Sequence, residues 1–257
     1  MLLIKIKGKI SLRFKLTIEY DGTSLLGWQR QLDGPSVQEY LETALTALTG
    51  EKLEIPSAGR TDAGVHALGQ VCHIDFNRNL PDWKIRDAFN AHLRDLGAPV
   101  VVLKAEPVSD DFHARFSAIG RGYIYRILNR RSPGVLLKDR VWWVPVDLDI
   151  EKMRQGASFL LGHHDFTSFR AAACQAKSPL KTLDKLDISV RGEEIIFTVE
   201  ARSFLHHQVR NMAGTLKLVG EGKLTPDDVK TILEAKDRKA AGPTAPACGL
   251  YLAKVMY

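Results

Sequence analysis

The sequence predicts an α+β protein built from two ferredoxin-like halves with mainly antiparallel sheets. Three observations predict it. Residues 12 to 103 read as strand, helix, strand, strand, helix, strand, the split βαβ order. The second half repeats that order of elements, though not residue by residue. At 257 residues the chain is long enough for two modest domains with real cores.

Each element has a local cause. Leu12, Phe14, Leu16, Ile18 and Tyr20 alternate with polar residues, a half-buried strand closed by Asp21-Gly22. Residues 36 to 48 form a helix. Ser36 and Glu39 make a capping box after Pro35, Val37, Leu41, Ala44, Leu45 and Leu48 mark one face, and Gly50 ends it. A short strand is expected at 52 to 57. The next strand sets Cys72, Ile74 and Phe76 on one side and His73 and Asp75 on the other. A second helix covers about 82 to 96, with Ile85, Phe89, Leu93 and Leu96 on its stripe, and Val100 to Leu103 is a buried strand.

In the second half, Tyr123 to Leu128 and Val141 to Val144 read as strands and 149 to 161 as a helix. Residues 182 to 190 and 194 to 202 make a hairpin around Arg191-Gly192. Helices at 206 to 219 and 226 to 236 and a strand at 250 to 256 follow. The expected division is an N-terminal half at 1–110 and a C-terminal half at 111–257, linked near 106 to 118. Two such halves side by side leave a cleft, a common place for a ligand.

Composition narrows the class. Lys plus Arg number 36 against 30 Asp plus Glu, a net charge of +6 that favours a polyanionic partner without requiring one. Cys72, Cys174 and Cys248 are far apart and form no CxxC pair, which suits reduced thiols in a cytoplasmic protein rather than disulfides or a zinc site. The opening MLLIKIKGKISLRFKL alternates apolar and basic residues, unlike a signal peptide, and no later run reaches membrane-spanning length. A P-loop and a dinucleotide glycine fingerprint are both absent, so no nucleotide cofactor is indicated.

Three places could carry chemistry. Gly59-Arg60-Thr61-Asp62-Ala63-Gly64-Val65-His66 lies between two expected strands, so both its ends are anchored, and Gly59 and Gly64 can take backbone angles other residues resist. Such a loop can hold Asp62 still, and a neighbouring arginine favours an ionised carboxylate. On spacing alone the more ordinary account is a tight turn with Arg60 and His66 in water. Arg210 lies one step off the Val209, Ala213 and Leu216 seam, where a half-buried arginine either seeks a carboxylate or snorkels to solvent. Tyr123 and Tyr125 share one strand face amid Arg115, Arg121, Arg126, Arg130 and Arg131, a basic and aromatic setting that suits RNA, though packing is the commoner use of such rings. The pairs His163-His164 and His206-His207 lack metal-site spacing, and no metal is expected.

Taken together, these stretches resemble one family. Tyr20-Asp21-Gly22-Thr23, Gly27-Trp28-Gln29-Arg30-Gln31, Ser36-Val37-Gln38-Glu39 and the loop from Ala58 to His66 carry the resemblance in the first half. Asp111 to Ala118, Asp165-Phe166-Thr167-Ser168-Phe169, Phe204-Leu205-His206-His207, Val209-Arg210-Asn211 and Gly249-Leu250-Tyr251-Leu252 carry it further. From about residue 12 onward the chain is similar to the tRNA pseudouridine synthase A family. The resemblance implies two α+β halves whose sheets combine around a central cleft. It implies an isomerase that converts uridine to pseudouridine at positions 38, 39 and 40 of the tRNA anticodon stem-loop, without cofactor, acting as a cytoplasmic homodimer. It implies that Asp62 is the essential aspartate, as nucleophile or as promoter of glycosidic cleavage. Tyr123 would be the active-site tyrosine and Arg210 the arginine paired with the aspartate. Arg60, Tyr123, Phe204 and Leu250 would bind substrate, Arg60 by displacing the target nucleotide. A catalytically silent RNA-binding or RNA-folding protein on the same scaffold is the alternative. The chain departs from the family pattern at Gly122, Ile124 and Gln208, and its first eleven residues look like an extension.

Overall fold

The computed structural model describes residues 4–6, 9–76 and 80–257. They form an α+β protein of two compact units, Met1–Ile119 with Leu252–Tyr257, and Gly120–Tyr251. Among the described residues no helix is long and apolar enough to cross a membrane.

The first unit contains β1 (Ile4–Ile6), β2 (Lys9–Tyr20), α1 (Val37–Thr49), β3 (His66–Phe76), α2 (Asp82–Asp95) and β4 (Val100–Val108). Strand β2 is central, antiparallel to β3 on one side and β4 on the other, so that Leu16 lies opposite both Cys72 and Ala105. The alternation read in the sequence is the burial observed: Phe14, Leu16, Ile18 and Tyr20 are all buried. Of the eleven-residue extension, residues 1–3 and 7–8 lie outside the described residues, while β1 pairs antiparallel with the start of β2. Helix α1 starts where its cap predicts. The Ser36 side chain accepts the Glu39 amide N–H at 3.3 Å, a contact that stabilises by about 1 kcal/mol, and Gly50 ends the helix at φ 75°.

The strand expected at 52–57 does not form; this stretch contributes a single bridge, Ser57 opposite Cys72. Pro56 has no N–H to give a ladder, and the Ile55 N–H is taken by the Glu42 carboxylate of α1 at 3.1 Å. Leu96 also departs from expectation. It caps α2 and is exposed, while Ile85, Phe89 and Leu93 face the core.

The second unit contains β5 (Gly120–Asn129), β6 (Trp142–Val144), α3 (Ile150–Ser158), β7 (Gly162–Asp165), β8 (Leu180–Arg191), β9 (Glu194–Ala201), α4 (Gln208–Gly220) and α5 (Pro226–Ala235). The last strand, β10 (Leu250–Met256), begins here and ends in the first unit. Strands β5, β9, β8 and β7 pair in that order, all antiparallel, and β6 joins β5 in parallel. Two features were not expected. Strand β7 is short and polar, and α4 is buried on nearly every side, including Asn211 and Thr215. Those polar groups are satisfied from afar: Asn211 donates to the Phe169 carbonyl at 2.8 Å and accepts from the Thr244 hydroxyl at 2.7 Å, and the Thr215 hydroxyl accepts the Gly242 N–H.

Candidate active site

In the first unit the loop around Asp62 is braced at almost every residue. It leaves the Ser57 bridge with the Ala58 N–H on the Val71 carbonyl at 2.8 Å, and the buried Gln70 side chain donates to the Gly59 carbonyl at 2.8 Å. The Trp28 N–H donates to the Thr61 carbonyl at 3.0 Å, and the Thr61 and Tyr20 hydroxyls are 2.7 Å apart, out of water. The Val65 N–H then turns back to the Asp62 carbonyl, and the Gly64 N–H reaches the Leu25 carbonyl. Asp62 is half-buried at the head of this turn, and Arg60 is exposed.

Two glycines outside the loop let it sit this close. A Cβ on Gly22 would lie 2.1 Å from the Val65 carbonyl oxygen. One on Gly27, whose φ is +92°, would lie 2.3 Å from the Thr61 oxygen. Within the loop Gly64 does use a left-handed angle, at φ 76°, but Gly59 does not, and a side chain there would meet open space. Backbone freedom is therefore used at one of the two loop glycines.

His66 is not in water. It is 2% exposed, and its Nδ1 accepts the Gly22 N–H at 3.0 Å. The same Nδ1 is 3.1 Å from an Asp21 carboxylate oxygen. One nitrogen cannot accept and donate at once. The amide hydrogen is fixed, so Nδ1 is the acceptor, which places any ring hydrogen of neutral His66 on Nε2. Asp21 for its part accepts from the Thr23 N–H and hydroxyl at 3.0 and 2.6 Å.

In the second unit Tyr123 stands half-exposed on β5, with its ring edge-on to Phe204 at 5.1 Å and 89°. Its face-mate Tyr125 is fully buried and donates to the Pro246 carbonyl at 2.8 Å. Arg210 lies on the first turn of α4, half-buried, with its Nε donating to the Ala245 carbonyl at 2.7 Å and its own carbonyl accepting the Ala245 N–H. Tyr125 and Arg210 thus hold adjacent carbonyls of one strap. Burial pushes the Tyr125 phenol well above its ordinary value, Cys248 adds to this, and the Arg210 guanidinium opposes it. Leu250 begins β10 and is buried. Gln208 is buried too: its Oε1 accepts the Leu205 N–H at 2.9 Å, which closes the turn before α4.

The histidine pairs differ from expectation in one respect. His206 and His207 precede α4 rather than lying in it, and His207 has φ 62°, so their rings come together at 4.0 Å. His163 contacts the Thr182 hydroxyl and His164 the Leu161 carbonyl. The sequence reading missed Tyr20, Trp28 and Gln70 as braces of the loop. The signal available for the first was the tyrosine that closes β2.

The model of the tRNA pseudouridine synthase family matches residues 16–117 and 157–257. The chain is 60% identical over 245 residues to the tRNA pseudouridine synthase A of Paramagnetospirillum magneticum, covering 95% of each. It is 57% identical over 245 residues to that of Rhodospirillum centenum and 56% identical over the same length to that of Agrobacterium fabrum, covering 95% of this chain and 99% and 92% of those proteins. The chain belongs to the tRNA pseudouridine synthase family.

Proposed function

We propose that this protein isomerises uridine to pseudouridine in tRNA, at positions 38, 39 and 40 of the anticodon stem-loop. The bond from the ribose to N1 breaks, the uracil turns, and the ribose rejoins at C5; C5 gives up its proton and N1 takes one up, so substrate and product are isomers. Every heavy atom of substrate is kept, so the chemistry requires no redox group, metal or nucleotide. Asp62 promotes glycosidic cleavage with its carboxylate, by attack on the sugar or on the base. Tyr123 stacks on the base and assists proton removal at C5, and Phe204, edge-on to its ring, keeps it upright. Arg210 partners the aspartate, Arg60 helps displace the target nucleotide, and Leu250 lines its site. A base in a stem must leave the stack before it can react. The enzyme works as a cytoplasmic homodimer.

One observation carries the catalytic assignment within this family. Asp62 heads a turn that is held on both sides, Thr61 by Tyr20 and Trp28 before it, and Gly64 by the Leu25 carbonyl after it. A solvated loop tip has no use for such bracing, whereas a reacting carboxylate needs its direction fixed before substrate arrives. The test is incubation with unmodified tRNA, followed by chemical labelling that maps pseudouridine. Label at positions 38 to 40 is expected. Binding without product would contradict the reading, and sedimentation showing a monomer at working concentration would contradict the dimer.

A further inference from the structure

The segment from Phe112 to Ser117 in the first unit carries a column of rings that runs from the interior to solvent. Its root is His73 on β3, 5% exposed, edge-on to Phe112. The His113 ring lies 4.8 Å from His73, and the Phe116 ring 4.4 Å from His113 at 36°. There the column ends, with Phe116 77% exposed and the Arg115 guanidinium carbon 5.8 Å from its ring centre.

An exposed phenylalanine means little by itself. What marks this one is how firmly it is held. The His113 Nδ1 accepts the N–H groups of both Arg115 and Phe116, at 3.1 and 3.4 Å. His113 and Ser117 exchange two bonds of 2.9 Å. The Ala114 N–H donates to His73 and the Ala114 carbonyl accepts from the Tyr257 hydroxyl. Ordering a segment costs conformational entropy, and most of the surface of the ring on which it ends still faces water.

We propose that Phe116 and Arg115 form a stacking site for an unpaired nucleobase of the RNA substrate, apart from the residues assigned to the reacting uridine. The ring offers a π-face to a base of any identity, and the adjoining guanidinium suits the phosphate beside it. This pairing of an aromatic face with a cation favours a nucleotide over the apolar surface of a second copy of the chain. The proposal rests on the reading that the protein acts on tRNA.

The test compares Phe116→Ala, Phe116→Leu and Phe116→Trp for affinity to unmodified tRNA at fixed ionic strength, with single-turnover rates at saturating enzyme. Phe116→Ala should bind about five- to a hundredfold more weakly, with its saturated rate unchanged. Phe116→Trp should keep wild-type affinity, with its fluorescence quenched by tRNA, and Phe116→Leu should recover little. The slope of log affinity against log salt should stay the same in Phe116→Ala and become shallower by about 0.7 to 0.9 in Arg115→Ala. Unchanged affinity in Phe116→Ala would overturn the site. So would equal rescue by Leu and Trp, or a loss of self-association with tRNA affinity intact, because each assigns the ring to protein packing. Wild-type protein that makes no pseudouridine would sink the proposed function instead, a result read without any Phe116 variant.

Discussion

Tyr20 and Thr61 share a 2.7 Å contact between hydroxyls that are both out of water, one residue before Asp62. Removing the tyrosine hydroxyl leaves Thr61 without that partner and frees one wall of the loop. A buried hydrogen bond of this kind stabilises by about 1 to 1.5 kcal/mol, which corresponds to about tenfold in rate if it acts on the reacting geometry. Tyr20→Phe should therefore lower kcat about tenfold with KM for tRNA nearly unchanged. A rise in KM at constant kcat would assign the contact to binding. Arg210 makes a second prediction at this scale. Its Nε is fixed on the Ala245 carbonyl, so the rest of the guanidinium is presented in one orientation. Arg210→Ala should cut the single-turnover rate about a hundredfold, and Arg210→Lys should restore only part, because lysine keeps the charge but not the planar fork. The rates are to be measured at saturating enzyme. A normal rate in Arg210→Ala would leave Asp62 needing another partner, with Arg60 the first to examine.

At the scale of elements, the Phe112 to Ser117 segment depends on a neutral histidine. Burial pulls His73 down from 6.5 to about 4, with Arg13 and His113 adding to the shift and Asp75 opposing it. Arg13 is itself held by Asp75 through two contacts of 2.7 and 2.8 Å and donates to the Asp110 and Phe112 carbonyls, so the cation stays beside the segment. The folded form binds its proton less readily than the unfolded form. Stability that is full above about 6.5 is accordingly lost as pH falls toward about 4. The expected outcome is a His73 ring signal that titrates near 4 by NMR, with Tm falling over that window; titration near 6.5 would contradict it. Strand β2 and helix α1 were legible in the sequence because alternation and a serine cap are local signals. The loop at Asp62 was legible only in part: the strand after it formed as its alternation predicts, but the strand expected before it, at 52–57, did not, and a single bridge from Ser57 to Cys72 stands in its place. Its braces were not, because Tyr20, Trp28 and Gln70 reach it from other elements. The burial of α4 was hidden too, since Asn211 and Thr215 look solvent-facing until Phe169, Gly242 and Thr244 supply their partners. Strand β7 was missed because Gly162-His163-His164-Asp165 is short and carries no apolar alternation.

At the scale of the whole molecule, charge and chemistry make separate claims. A net charge of +6 acting on a polyanion should make tRNA affinity fall steeply and linearly in log–log terms as salt rises, because each phosphate contact releases counterions. Affinity unchanged between low and physiological salt would contradict binding along the RNA backbone. Binding, however, is shared with a silent RNA-binding protein, and only the carboxylate separates the two. Asp62→Asn keeps the size of the side chain and removes its charge, and leaves in place the bonds that hold Thr61, Gly64 and Val65. The most direct measurement is a single-turnover assay of wild-type and Asp62→Asn protein on unmodified tRNA, each at saturating enzyme, with product mapped by chemical labelling and affinity measured in parallel. The account predicts pseudouridine from the wild type, none from Asp62→Asn, and tRNA affinity within a few-fold of each other. Near-normal turnover by Asp62→Asn would contradict it.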